Sequence, residues 1–130
     1  MQAGTTFVLA EEHQDIDPHL WLVLSDTVTF PDQVVIVNVT THKDYKDQAC
    51  VIERNEHPTL THRSCVMYSE ARVVTLAALR DLRYSGKISL REEVSASLLE
   101  RIRRCAGDST EMKDKVADIL IEQGIIDLEA

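Results

Sequence analysis

Four of the five histidines in this 130-residue chain, His19, His42, His57 and His62, fall at strand ends or in turns. Loops beside a rigid sheet are where sites are built. An imidazole titrating near neutral pH can take and return protons, and two of them beside cationic donors suffice to cleave RNA through its own 2′-hydroxyl. The densest polar cluster is His57-Pro-Thr-Leu-Thr-His62-Arg63-Ser64. There His62 opens a strand next to a guanidinium that can grip a phosphate bidentately, which makes His62, Arg63 and Ser64 candidates for catalysis and substrate binding. His57, in a turn beside Pro58, reads more simply as a side chain satisfied by backbone. His19 begins one strand and His42 follows the Thr40-Thr41 pair that ends the next. Antiparallel pairing of those strands brings both histidines to one end of a sheet. The competing reading of His19 is a loop residue hydrogen-bonded to backbone. A zinc site from His57, His62 and a cysteine has no usual ligand spacing, so no metal and no cofactor is expected. Motifs for phosphate-binding loops, serine hydrolysis, zinc proteolysis and dinucleotide binding are missing.

Charge narrows the approach of an anionic substrate. The chain carries a net charge of -8, yet residues 61–106 hold 9 basic side chains against 5 acidic, whereas residues 1–60 hold 3 against 10. An anion should therefore meet the middle of the chain, Arg72 included, while the arginines after Lys87 read as solvated helix faces. Aromatic residues make up 5% and do not interleave with basic ones, so Trp21 and Phe30 read as core or interface anchors. Tyr45, in a polar loop, is the one aromatic placed to stack on a base.

The elements that must position these residues follow from periodicity. With 44% apolar side chains, the sequence predicts one domain over 1–130, with a β core in 1–74 and a helical segment in 75–130. Strands are expected at Thr5 to Leu9, Leu20 to Leu24, Val34 to Val39, Ala49 to Ile52 and Thr61 to Tyr68, and a short one at Arg72 to Val74. The second and third should form a central hairpin, with Leu20, Leu22 and Leu24 or their alternates facing the core along with Val35, Val37 and Val39. The loop EEHQDIDPH, closed by Pro18, separates the first two strands. Helical spacing then takes over at Leu76, Leu79 and Leu82, ending at Gly86. Ser89 with Glu92 has capping-box spacing and predicts a helix carrying Val94, Leu98, Leu99 and Ile102 up to Gly107. Ser109 or Thr110 is expected to cap a last helix bearing Met112, Val116, Ile119 and Leu120. The fold class expected is mainly β (α+β), a small barrel with C-terminal helices. So much amphipathic helix suggests a twofold homodimer. Cys50, Cys65 and Cys105 form no CxxC pair and read as buried, reduced thiols. No apolar run approaches the roughly 20 residues of a membrane span, and the N-terminus lacks a basic leader, so a cytoplasmic protein with no membrane partner is expected.

His19-Leu-Trp-Leu-Val-Leu-Ser25, followed after a gap by Val34-Val-Ile-Val-Asn-Val-Thr-Thr41, resembles the core of the PemK/MazF-like toxins. Their pattern is R-P-A-L-V-L-S, a loop, then an apolar strand ending in Thr-Thr or Thr-Ser. Ser64-Cys-Val-Met-Tyr-Ser-Glu-Ala-Arg72 and the segment from Lys87 to Arg104 continue the resemblance, which covers residues 4 to 105. It implies an SH3-like barrel, a homodimer, metal-independent cleavage of single-stranded RNA and an antitoxin protein as partner. It also implies roles for Ser25, Thr41 and Arg72, which match family positions. His19 stands where the family has an arginine serving the scissile phosphate, and Leu20 where it has proline. Either the histidine has taken over that role, or the chain keeps the barrel as a catalytically inactive module that binds protein or RNA.

Overall fold

In the computed structural model, which describes residues 1–12, 15 and 18–127, six antiparallel strands form one curled sheet, a half-barrel, with three helices. The strands are β1 (Thr6–Leu9), β2 (Leu20–Val23), β3 (Val34–Thr41), β4 (Val51–Ile52), β5 (Ser64–Val74) and β6 (Ile88–Arg91), in the order β4-β5-β3-β2-β1-β6. Helices α1 (Leu76–Tyr84), α2 (Ala96–Ala106) and α3 (Asp114–Glu122) pack on its two faces. The rest of the acidic loop between β1 and β2, and the last three residues, lie outside the described residues.

The near-continuous apolar runs of β2 and β3 follow from burial on both faces. Leu20, Leu22, Leu24, Val35, Val37 and Val39 point to one side, where α2 and α3 contribute Leu98, Ile102, Val116, Ile119 and Leu120. Their alternates Trp21, Val23, Val34 and Ile36 point to the other, beneath Leu76 and Leu79 of α1. A strand covered on both faces shows no polar alternation. Tyr68, fully buried in β5, ties the layers together by donating its hydroxyl to the Ile102 carbonyl of α2 at 2.7 Å. The apolar faces of α2 and α3 thus pack on the sheet of their own chain.

Three expectations change. Ser89 caps no helix: it lies in β6, whose pairing with β1 (Leu9 opposite Ile88, Thr6 opposite Arg91) adds a sixth strand from within the 75–130 segment. The cap of α2 is Ser95, whose hydroxyl accepts from the Leu98 amide at 3.1 Å. At α3 the N-cap is Lys113, while Ser109 donates instead to Asp47 at 2.7 Å. The strands expected at Thr61 to Tyr68 and Arg72 to Val74 are one long β5 with an irregularity inside it. Met67 stands opposite Asn38 but Arg72 opposite Ile36, so Tyr68 to Ala71 are all set against Val37. Such a bulge bends the strand and re-aims its side chains.

Cys50 and Cys65 are buried and Cys105 half-buried, all as free thiols. Burial, reinforced by a hydrogen bond with Cys105, pushes the Cys50 thiol up to about 12, so it stays protonated and packs as a small apolar group. No helix among the described residues is long and apolar enough to cross a membrane.

Candidate functional site

A cavity of about 430 Å³ opens on the α1 side of the sheet, where β2, β3 and the bulge of β5 meet. Its walls include Glu12, His19, Trp21, Asn38, Thr40, Lys46, Glu70 and Arg72, with Leu9 and Met67. The β2–β3 register generates the arrangement. Leu20 pairs with Val39 and Trp21 with Asn38, which sets His19 at the level of Thr40. Because side chains alternate along a strand, Trp21, Asn38 and Thr40 share this face and the leucines of β2 take the other. The β5 bulge supplies Glu70, and Arg72 follows directly after it.

Each polar group here has a defined setting. His19, half exposed, places Nδ1 3.3 Å from Glu12 Oε1. Lys46, from the loop after β3, donates its ammonium to the Thr41 carbonyl at 2.9 Å and to Thr40 Oγ1 at 3.3 Å. Arg72 lies over Trp21 with its guanidinium carbon 5.2 Å from the ring centroid, a cation–π contact, and forms no ion pair among the described residues. Trp21 in turn stacks on Phe7, with centroids 6.4 Å apart and planes 9° from parallel. Beneath them, Trp21 Nε1 and Asn38 Oδ1 are buried with no hydrogen-bond partner among the described residues. An unpaired buried polar atom costs about 1–3 kcal/mol, so a floor with both a donor and an acceptor in this state is a poor choice for stability alone.

The cavity gathers three of the sequence candidates, His19, Thr40 and Arg72, and leaves the others elsewhere. Thr41 faces away from it by strand alternation, and its carbonyl accepts from Lys46. His42 shares the same end of β3, but its Nε2 lies 2.6 Å from Gln48 Oε1 and its amide donates to the Arg63 carbonyl at 2.9 Å. Arg63 is exposed and paired with Glu53 at 3.0 Å, His62 is exposed beside it, and Ser64 is buried with its hydroxyl on the His62 carbonyl at 2.9 Å. These three lie at the start of β5, outside the cavity wall. Ser25 is fully buried just past the far end of β2, where its hydroxyl accepts from the Val35 amide at 2.8 Å. Six residues of extended chain separate it from His19, roughly 20 Å. His57 is buried, with Nε2 bonded to the Glu92 carbonyl and Nδ1 accepting from the Thr59 amide, so it locks a turn against the segment before α2.

Lys46, Glu12, Glu70 and Asn38 are the site members that sequence reasoning missed. Lys46 sits in a polar loop that reads as solvated, and Glu70 reaches the cavity only through the bulge. Asn38 alone carried a signal, as one polar residue inside the apolar run VVIVNV. Among the arginines expected on solvated faces, Arg101 and Arg103 are half-buried. Arg101 forks onto Glu56 with both bonds at 2.7 Å, and Arg103 Nε donates to the Leu24 carbonyl at 2.8 Å. Searches against protein-family models, curated proteins and solved structures find no match for this chain.

Proposed function

We propose that this chain is a divergent endoribonuclease of PemK/MazF-like type that cleaves single-stranded RNA without a metal ion. Its half-barrel is then a version of that family's SH3-like barrel, working in the cytoplasm as a homodimer under control of an antitoxin protein. The dimer, the partner and the compartment rest on the sequence readings and the resemblance. The site rests on one observation: an imidazole beside a carboxylate, a guanidinium, an ammonium and a second carboxylate line a single cavity.

Those groups match what transesterification of RNA requires. Arg72 and Lys46 hold the non-bridging oxygens of the phosphate and offset the charge that grows there in the transition state. Glu70 takes the proton from the 2′-hydroxyl, whose oxygen attacks phosphorus. The bond to the 5′-oxygen breaks, and His19, in its imidazolium form and held by Glu12, gives that oxygen a proton. The products are a 2′,3′-cyclic phosphate and a 5′-hydroxyl. In this scheme His19 fills the place of the family's arginine by moving a proton, and Arg72 supplies the fixed charge that the arginine would have brought.

The test is a single-stranded RNA pool incubated with purified protein in EDTA, with the termini mapped. New 5′-hydroxyl ends made by the wild type and lost in His19→Ala support the reading. RNA that binds and is not cut favours the inactive binding module.

A further inference from the structure

A cavity of about 680 Å³ lies apart from the one around His19. It is an open cleft bounded by the first residues of the chain, the loop after β2, α1 and the end of β6. Three arginines line it: Arg80 and Arg83 from α1, and Arg91 from β6. Arg80 and Arg83 are three residues apart and so share a helix face, where like charges repel. None of the three pairs with a carboxylate among the described residues: Arg91 bonds Ser89 Oγ at 2.8 Å and the Leu90 carbonyl at 3.4 Å, and the others hold no ion pair. The one carboxylate on the wall, Glu93, is engaged by the neutral amide of Gln2 at 3.0 and 3.1 Å. In a chain of net charge -8, three guanidiniums lining one cavity, with no ion pair among the described residues, make a locally positive surface.

The remaining wall is mixed: Leu76, Leu90, Pro31 and Val28 give it an apolar part, with Val28 86% exposed, and Gln2, Thr5 and Thr27 a neutral polar one. The volume falls in the range of small-molecule sites, where an apolar surface takes the body of a ligand and a few charges fix its orientation. The frame is held in place: the Leu76 amide donates to the Pro31 carbonyl at 2.7 Å and Thr27 Oγ1 to the Met1 carbonyl at 2.8 Å. We propose that this cavity binds a nucleotide-sized organic phosphate, a nucleoside diphosphate in charge and size. Its roughly three negative charges meet Arg80, Arg83 and Arg91, and its base lies on Leu76, Leu90 and Pro31. This site is independent of the RNA-cleaving reading, and neither depends on the other.

The experiment titrates the full chain, free of divalent metal, with ADP by calorimetry, and in parallel with inorganic phosphate, adenosine and an unphosphorylated tetraribonucleotide. ADP is expected to bind at least 10-fold more tightly than any of the other three. Arg80→Gln and Arg83→Gln alter exposed side chains of α1, so the fold is retained, and each should weaken ADP at least 10-fold. His19→Ala should leave ADP binding within twofold of the wild type. ADP binding no tighter than inorganic phosphate, or indifferent to both arginine variants, would overturn the proposal. So would a tetraribonucleotide that outcompetes ADP, since the cavity would then be a contact for RNA.

Discussion

Trp21 and Asn38 are direct partners across β2 and β3, and each buries a polar atom, Nε1 and Oδ1, that no described residue satisfies. A donor and an acceptor side by side and both unpaired, under a cavity rimmed by Arg72, Lys46 and His19, tie the cross-strand register to the candidate site. If this pair serves the site, it contributes little to stability. Asn38→Ala should therefore change the unfolding free energy by about 1 kcal/mol or less, because lost packing is offset by removal of an unpaired oxygen. Leu22→Ala, one residue along on the opposite face and 1% exposed, should cost about 2–5 kcal/mol. Urea unfolding of the two variants measures the contrast, and a large loss in Asn38→Ala would make Asn38 a structural residue.

The Glu56–Arg101 pair joins the turn before His57 to α2. The forked hydrogen bond from Arg101 holds the Glu56 carboxyl below its usual value of 4.5, with the Glu53 amide helping. A carboxylate whose folded pKa is depressed stabilises the fold above the unfolded value, and that contribution disappears as pH falls through the folded one. Both side chains are about a third exposed, so the pair is worth about 1 kcal/mol. Glu56→Gln should accordingly lower stability by that amount at pH 7, and the gap to the wild type should close progressively below pH 4.5. Thermal unfolding across pH 7 to 3 checks both the size and the direction.

His57 and His19 should separate cleanly. His57→Ala breaks two backbone-directed hydrogen bonds in a buried turn and leaves the Thr59 amide without its acceptor, while the Glu92 carbonyl keeps the Thr6 hydroxyl, a loss of about 1–3 kcal/mol. His19→Ala removes a half-exposed side chain and should leave the melting temperature within about 2 °C, since exposed substitutions stay within about 0.5 kcal/mol. Calorimetric scans of both proteins decide this.

The hydroxyls of β3 offer a finer comparison. Thr40 faces the cavity and Thr41 the other side of the sheet. Thr40→Ala should reduce cleavage several-fold through lost hydrogen bonding, and Thr41→Ala less, because Lys46 takes the Thr41 carbonyl and not its side chain. The ratio of the two rates on one RNA substrate reads out which face the reaction uses.

What the sequence disclosed was whatever long apolar runs dictate. LWLV and VVIVNV could only be central strands, and Leu98, Ile102, Ile119 and Leu120 of α2 and α3 fall on the faces that pack into the core. The hidden parts depend on tertiary pairing. In β6, Ile88 and Leu90 alternate with Ser89 and Arg91 over four residues, too short to outweigh a capping-box spacing that arises by chance. The cavity was half legible for a similar reason. His19 and Thr40 come together from the register of one hairpin, which strand order suggests, and Arg72 was reached through charge and the family resemblance. Glu70 and Lys46 depend on a bulge and a loop whose geometry leaves no periodic trace.

The most direct measurement of the central claim is the rate of single-stranded RNA cleavage in EDTA for the wild type, His19→Ala, Arg72→Ala and His62→Ala. General acid–base catalysis contributes about 10²- to 10⁴-fold, so His19→Ala should lose that much, and Arg72→Ala should lose a comparable amount with its phosphate contact. His62→Ala, outside the cavity, should stay within about twofold. New 5′-hydroxyl ends that persist at full rate in His19→Ala while His62→Ala abolishes them would contradict the account and move the chemistry to the start of β5.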